Sequence, residues 1–255
     1  MLNKKKKSFF EYYAHEYDIL TDAKKREKKH SKEINSIIKT FHPRSVLDAG
    51  CATGLSSYLF AKQSIKTVGF DCSRPMLKIA RQKYNSLAPL LTFKYGYFEK
   101  LPQSMYSKFD LVVCLANSIV GVGAMFHLQE ALMKFYHVLK PGGNLIVQML
   151  NYFSIVDEEI LPIKATRNKN IIYQRFSERR GKKLYIYVNR IDLDSSPLKY
   201  EMFRHEFENF DVTEMVTGLK KAKFSKIQKY SDLFLKKTFT KTAHDLVLTA
   251  RKIDY

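Results

Sequence analysis

The chain has no apolar run approaching the roughly 18 residues of a membrane helix, no C-x-x-C pair and no histidines at metal-ligand spacing. The first absence, with 45% hydrophobic residues, points to a soluble globular protein that makes no membrane contact. The three cysteines, Cys51, Cys72 and Cys114, are odd in number and far apart. That argues against a disulfide framework and against a zinc site, and fits a reducing, cytoplasmic setting with no metal cofactor. The N-terminal "MLNKKKKSFFEYYAHEYDIL" starts basic, but Glu11, His15, Glu16 and Asp18 break its apolar residues, so it is not expected to be a secretory signal.

Acids are scarce: 25 against 44 lysines and arginines, a net charge of +19. Such a balance invites nucleic acid or another polyanion. The charge is uneven, because residues 161–190 carry nine basic side chains and one acid, whereas 191–219 carry two and seven. Lysine outnumbers arginine 33 to 11, which also suits a plain solvated surface.

Strand-like and helix-like segments alternate from 45 to 150. "SVLDAG" (45–50), "KTVGFD" (66–71), a segment near 91–95, "FDLVVCLA" (109–116) and "NLIVQML" (144–150) read as strands. Between them lie helices at 55–63, at 73–84 with Ser73 as N-cap and Pro75 in the first turn, and at about 124–139, the last followed by a turn at "KPGG" (140–143). Repeated β-α-β units predict an α/β protein with a mostly parallel sheet covered by helices on both faces. After Asn151 the pattern changes: 171–176 and 184–193, separated by "SERRGKK", read as an antiparallel hairpin, with a further extended stretch at 199–210. A helix at 212–222 and strands near 225–230 and 244–251 close the chain.

The stretch "DAGCATG" (48–54) stands where the first strand meets the first helix, the place where open parallel sheets bind ligands. Glycines at 50 and 54 predict a close backbone approach, and the helix start offers free N–H groups. The spacing matches neither the phosphate loop nor G-x-G-x-x-G. Asp71 ends the next strand, 17 residues after Gly54, where a carboxylate can accept both hydroxyls of a ribose. The pair implies an adenosine-like ligand.

"VLDAGCATG", "VGFDCSRPMLKIAR", "FDLVVCLANS" and "HVLKPGGNLIV" resemble the successive motifs of class I S-adenosylmethionine-dependent methyltransferases. The resemblance implies a Rossmann-like seven-stranded sheet carrying an antiparallel β lid. It divides the chain into an N-terminal helical cap (1–40), a cofactor-binding core (41–150), a lid (151–211) and a C-terminal helix and strand pair (212–255). It implies that Asp48, Gly50, Cys51, Ala52 and Gly54 hold the methionine part of S-adenosylmethionine, that Asp71 holds the ribose, and that Cys72 and Met76 flank the adenosine. Leu115 and Asn117, after the fourth strand, join the cofactor set. The family's acid after the third strand is replaced here by Tyr97 in "YGYFEKLP", which leaves Tyr97 or Phe98 to stack on the adenine.

"CLANSI" (114–119) and "QMLNYFSIV" (148–156) are similar to the corresponding segments of glycine N-methyltransferase and related small-molecule enzymes. That similarity implies that Asn151 faces the acceptor and that an arginine of the insertion, with Arg175 best placed, binds its carboxylate. "FFEYYAHEYDIL" resembles the N-terminal helix that closes over the cofactor in such enzymes, with Tyr13 and Tyr17 on one helical face. Methyl transfer needs an acceptor lone pair in line with the S–CH3 bond, in a site closed to water. A neutral amine fits Asn117, Asn151 and tyrosine hydroxyls, whereas a phenol would call for a base such as His127.

The leading expectation is therefore a monomeric or homodimeric methyltransferase that moves a methyl group to nitrogen, or to oxygen, of a small molecule and releases S-adenosylhomocysteine. One alternative is an RNA methyltransferase, in which the basic 161–190 segment and its tyrosines contact phosphates and bases. The other is a non-catalytic cofactor-binding protein, because fold alone does not establish activity.

Overall fold

The computed structural model describes residues 12–253; the first eleven residues of the expected N-terminal cap lie outside the described part. Seven strands form one sheet in the order β10-β11-β5-β4-β1-β2-β3. They are β1 (Ser45–Ala49), β2 (Lys66–Asp71), β3 (Leu91–Tyr95), β4 (Phe109–Cys114), β5 (Leu139–Leu150), β10 (Phe224–Tyr230) and β11 (Asp245–Lys252). β1 to β5 pair in parallel, and β11 runs antiparallel between β5 and β10. β1 is buried at all five positions, as a central strand covered on both faces must be.

The helices are α1 (Ala23–Phe41), α2 (Leu55–Ala61), α3 (Arg74–Tyr84), α4 (Met125–Val138) and α5 (Val212–Lys221). Two apolar layers hold them to the sheet. Ile34 and Ile37 of α1 join Leu55, Leu59 and Phe60 of α2 over one face, and Leu128, Leu132 and Phe135 of α4 join Met215 and Leu219 of α5 over the other. Ser73 caps α3 by accepting from the Met76 N–H at 3.4 Å, and Asp211 with Glu214 forms a reciprocal capping box on α5.

Two local readings of the sequence change here. The "KPGG" segment is assigned within β5 rather than as a turn before it: Phe109 pairs with Leu139 and Leu111 with Asn144, so the segment bulges out of the ladder opposite a single residue. The 171–193 hairpin is longer than expected, because its strands run through the charged residues to a two-residue turn at Gly181 and Lys182, Gly181 having φ +57°.

β6 (Ile160–Asn168), β7 (Ile171–Arg180), β8 (Lys183–Asp192) and β9 (Lys199–Glu208) make a separate antiparallel sheet. It is inserted between the carboxyl end of β5 and α5. Its packed face meets the N-terminal segment, where Leu20, Tyr173 and Val188 are buried together with Tyr13, Ile19 and Phe203 against them.

That segment is not one continuous helix. A 3-10 turn at Ala14–Glu16 is followed by one helical turn, Tyr17–Leu20, and Asp22 has φ +52° before α1 begins. Tyr13 and Tyr17 therefore do not share a helical face. Tyr13 packs edge-on to Phe203, with ring centroids 5.5 Å apart, and donates to Glu201; burial and that carboxylate push its phenol up to about 12. Tyr17 lies under the guanidinium of Arg26, 5.8 Å from its ring centroid. Tertiary anchoring by β9 outweighs the helical periodicity of the segment.

Candidate active site

The chain turns from β1 to β2 on one side and reaches β4 on the other, so the crevice of the sheet opens at the carboxyl ends of β1 and β4. The 50–54 loop stands there. Gly50 has φ +84° and Gly54 has φ +87°, in the region that side chains with a Cβ rarely adopt. A Cβ on Gly50 would sit 2.5 Å from that of Ser118, and one on Gly54 would sit 2.8 Å from the Phe93 ring. Protein neighbours, rather than a ligand alone, thus demand both glycines.

Asp71 organises the loop. One carboxylate oxygen accepts the Ala52 N–H at 2.8 Å and the other accepts the Ser73 N–H at 2.8 Å. Burial nevertheless holds its pKa above the usual carboxylate range. The Cys72 N–H is a third donor, so of a carboxylate's about four lone-pair sites one remains for a hydroxyl. Asp48, at the end of β1, is 2% exposed and accepts from Ser57 Oγ at 2.6 Å. Burial pushes its pKa up to about 6, against the pull of that hydrogen bond and of His30.

The end of β4 is also unusual. Ala116 and Asn117 both have left-handed backbones, with φ of +53° and +66°. Gln148 fixes them: its Oε1 accepts the Ala116 N–H at 2.6 Å, and its carbonyl accepts the Asn117 N–H at 3.2 Å. Asn117 Oδ1 in turn accepts the Leu150 N–H at 2.9 Å. Strain of this kind concentrates where backbone must face a ligand. Ser118 Oγ closes the circle on the Gly50 carbonyl at 3.3 Å.

The N-terminal segment straps the two sheets together. Asp18 accepts from Thr53 Oγ1 of the glycine loop at 2.7 Å and from Lys83 of α3 at 2.6 Å. Glu16 takes two hydrogen bonds from the Arg190 guanidinium of β8, at 3.0 and 3.1 Å, and Asp22 pairs with Lys164 of β6 at 3.0 Å. On the same packed face of β7, Arg175 has no acidic partner among the described residues. Its pKa is lowered, first by burial, while the phenols of Tyr17 and Tyr152 pull it up and Arg26 pushes it down. Tyr17, Tyr152, Arg26 and Arg175 are thus electrostatic neighbours.

The structure places the other sequence-predicted residues as follows. Leu115 and Met76 are buried in the core, and Phe98 packs its ring on Phe135 at 5.5 Å behind Gly50. Tyr97 is half exposed, edge-on to Tyr95, which lies 3.9 Å below the Arg74 guanidinium. Cys51 is buried, with its thiol pushed up by burial, and Cys72 is exposed. Asn151 gives both N–H donors of its amide to the Lys241 and Ala243 carbonyls, at 2.8 and 2.9 Å, so it ties down the loop before β11. His127 lies on the exposed start of α4, 3.3 Å from Glu130. The residues that sequence reasoning missed are Asp18, Thr53, Gln148 and Arg26. The partners of Asp18, Thr53 and Gln148 are 32 to 65 positions away, so no local pattern marks them, and Arg26 reaches Tyr17 only where the strap turns into α1.

Much of the basic charge of the insertion is paired, in part by acids outside it. Arg180 meets Glu178 at 2.6 Å, Lys183 meets Glu206 at 2.5 Å, Arg179 meets Asp157 at 3.6 Å, and Lys182 meets Glu214. Lys183 and Arg190 of β8 meet Glu206 and Glu201 of β9 across strands, and Lys182 meets Glu214 on α5. No helix among the described residues is long and apolar enough to cross a membrane.

A family model described as a methyltransferase domain matches residues 43–231, which is most of the chain. The chain belongs to that family. Its sheet, with a second antiparallel sheet after β5, is the fold of the class I S-adenosylmethionine-dependent methyltransferases. A methyltransferase described as S-adenosylmethionine-dependent, from Clostridium acetobutylicum, superposes with a TM-score of 0.77 at 20% identity, covering 96% of this chain and 99% of that one. An amino pentose methyltransferase from Micromonospora echinaspora, solved with S-adenosylmethionine bound, gives 0.72 at 18% identity over 91% and 96%.

Among curated relatives, a glycine/sarcosine/dimethylglycine N-methyltransferase of Actinopolyspora halophila is 30% identical over 158 residues, 58% of this chain and 28% of that protein. A glycine/sarcosine N-methyltransferase of Parasynechococcus marenigrum is 28% identical over 149 residues, 58% of this chain and 53% of that protein. The methyltransferase spans about half, or less, of the length of these relatives.

The donor set suits the family's cofactor. Asp71 keeps acceptor capacity for a ribose hydroxyl in a partly desolvated position, where hydrogen bonds to a carboxylate are strong. The 50–54 loop exposes backbone beside it.

Proposed function

We propose that this methyltransferase transfers a methyl group from S-adenosylmethionine to the nitrogen of a small acceptor that carries an anionic group. The observation behind it is Arg175: a largely buried guanidinium with no acidic partner among the described residues, on the insertion face that the N-terminal strap covers. A buried charge without a partner is costly, and a ligand anion is the natural compensation. The names of the curated relatives, which act on glycine and sarcosine, and of an amino-sugar enzyme among the structural neighbours agree with an amine acceptor.

S-adenosylmethionine supplies an electrophilic methyl group on a sulfonium and is left as S-adenosylhomocysteine once an amine lone pair has taken that methyl. Asp71 would accept from the ribose, and the loop from Gly50 to Gly54 would hold the methionine part. Arg175 holds the anionic end of the acceptor. Tyr17 and Tyr152 border that end, and the strap, latched through Asp18 to Thr53, excludes water from the amine. Much of the catalysis is then positioning. The test is turnover of labelled methyl on glycine, sarcosine and amino-sugar acids. Arg175→Lys should raise KM far more than it lowers kcat, and unchanged KM for every anionic acceptor would refute the assignment.

A further inference from the structure

The arginines of the strap and insertion differ in how they are satisfied. Arg190 has Glu16 at 3.0 and 3.1 Å, and Arg179 has the Ile155 carbonyl at 3.1 Å and Asp157 at 3.6 Å. Arg26 and Arg175 have no carboxylate within ion-pairing distance among the described residues. Arg26 Nε is shielded from solvent with no hydrogen-bond partner there, although its guanidinium lies over Tyr17. Arg175 is paired across the ladder with Lys164 and Val188, and Val188 is buried. Asp22, four residues before Arg26, already serves Lys164, the cross-strand neighbour of Arg175. Arg26 lies over the Tyr17 ring, Arg175 is an electrostatic neighbour of both, and only the Tyr17 and Tyr152 phenols, not a carboxylate, offset the cost of the two like charges.

One guanidinium fork satisfies one planar pair of oxygens. A single carboxylate balances the charge of one arginine and leaves that of the other unbalanced. We infer that Arg26 and Arg175 act together as a two-armed clamp for a dianionic group, so that the acceptor carries either a phosphate monoester or two carboxylates. This rests on the proposed small-acceptor function but is read without turnover. Arg26 sits on the first turn of α1, so dianion binding also fixes the strap at the point where it enters that helix.

The experiment is thermal shift and calorimetry on the full chain at constant ionic strength, with inorganic phosphate, succinate and acetate as probes. Phosphate or succinate should raise Tm and bind at least tenfold more tightly than acetate. Arg26→Gln should weaken that preferred dianion tenfold or more, with partial rescue in Arg26→Lys. Binding of S-adenosylhomocysteine, unchanged in Arg26→Gln, certifies the fold. Preference for phosphate assigns an ester, and preference for succinate assigns a dicarboxylate. Equal affinity for all three anions, or wild-type phosphate and succinate affinity in Arg26→Gln, overturns the clamp. Transfer of label only to RNA, with the dianion preference intact, would instead refute the small-acceptor function.

Discussion

Asp48→Asn should make the protein more stable and less able to bind its cofactor. The Asp48 carboxyl is buried at the end of β1, and its pKa is pushed from 3.8 to about 6, chiefly by burial. The folded state therefore binds a proton more tightly than the unfolded chain does. Above pH 6 the native protein carries a buried carboxylate at full cost, and stability rises as pH falls from 6 towards 3.8 while that proton is taken up. A shift of about two units corresponds to about 3 kcal/mol. Asparagine keeps an oxygen for Ser57 Oγ but carries no charge. At pH 7.5 the variant should gain roughly 6–12 °C in Tm for a domain of this size, and the gain should shrink towards zero near pH 4. Differential scanning calorimetry at both values measures it. A variant less stable than wild type at pH 7.5, or a difference independent of pH, would refute the reasoning.

Asp71→Asn should weaken S-adenosylhomocysteine binding at least about tenfold by calorimetry, because a hydrogen bond to a charged group contributes about 1.5–3 kcal/mol. Glu16→Gln should destabilise the strap by somewhat less than the roughly 3–5 kcal/mol of a broken buried pair, since Arg190 keeps Asp192 at 3.5 Å and Glu201 at 3.9 Å; urea unfolding reads this. Asn151→Ala removes both bonds that hold the 241–243 carbonyls and should lower stability by about 1–3 kcal/mol; an unchanged Tm would return Asn151 to a purely acceptor-facing role.

The parallel sheet was legible because each strand is a short apolar run bounded by a helix cap or glycine, and Ser73 and Asp71 fall where the spacing puts them. The glycine loop was legible too, but for a partly different reason: Ser118, 68 positions after Gly50, and Phe93, 39 positions after Gly54, meet the glycines only in space, a contact no local pattern encodes. β6 was missed because its exposed and half-buried residues show little alternation, and its Pro162 lies at a bulge. The strap was read as a helix from its resemblance to a helix of related enzymes, whereas Glu201 and Arg190, on strands far along the chain, decide its course. Charge counting pointed to nucleic acid, while the pairing of Lys183 with Glu206 and Lys182 with Glu214 depends on strand register that composition does not reveal.

The most direct test is transfer of labelled methyl from S-adenosylmethionine by the full chain into a cell extract separated into metabolites, RNA and protein. Label in the metabolite fraction, carried on nitrogen of an anionic compound and lost in Arg175→Gln, is the expected result. Label confined to RNA or protein, or undiminished in Arg175→Gln, would contradict it.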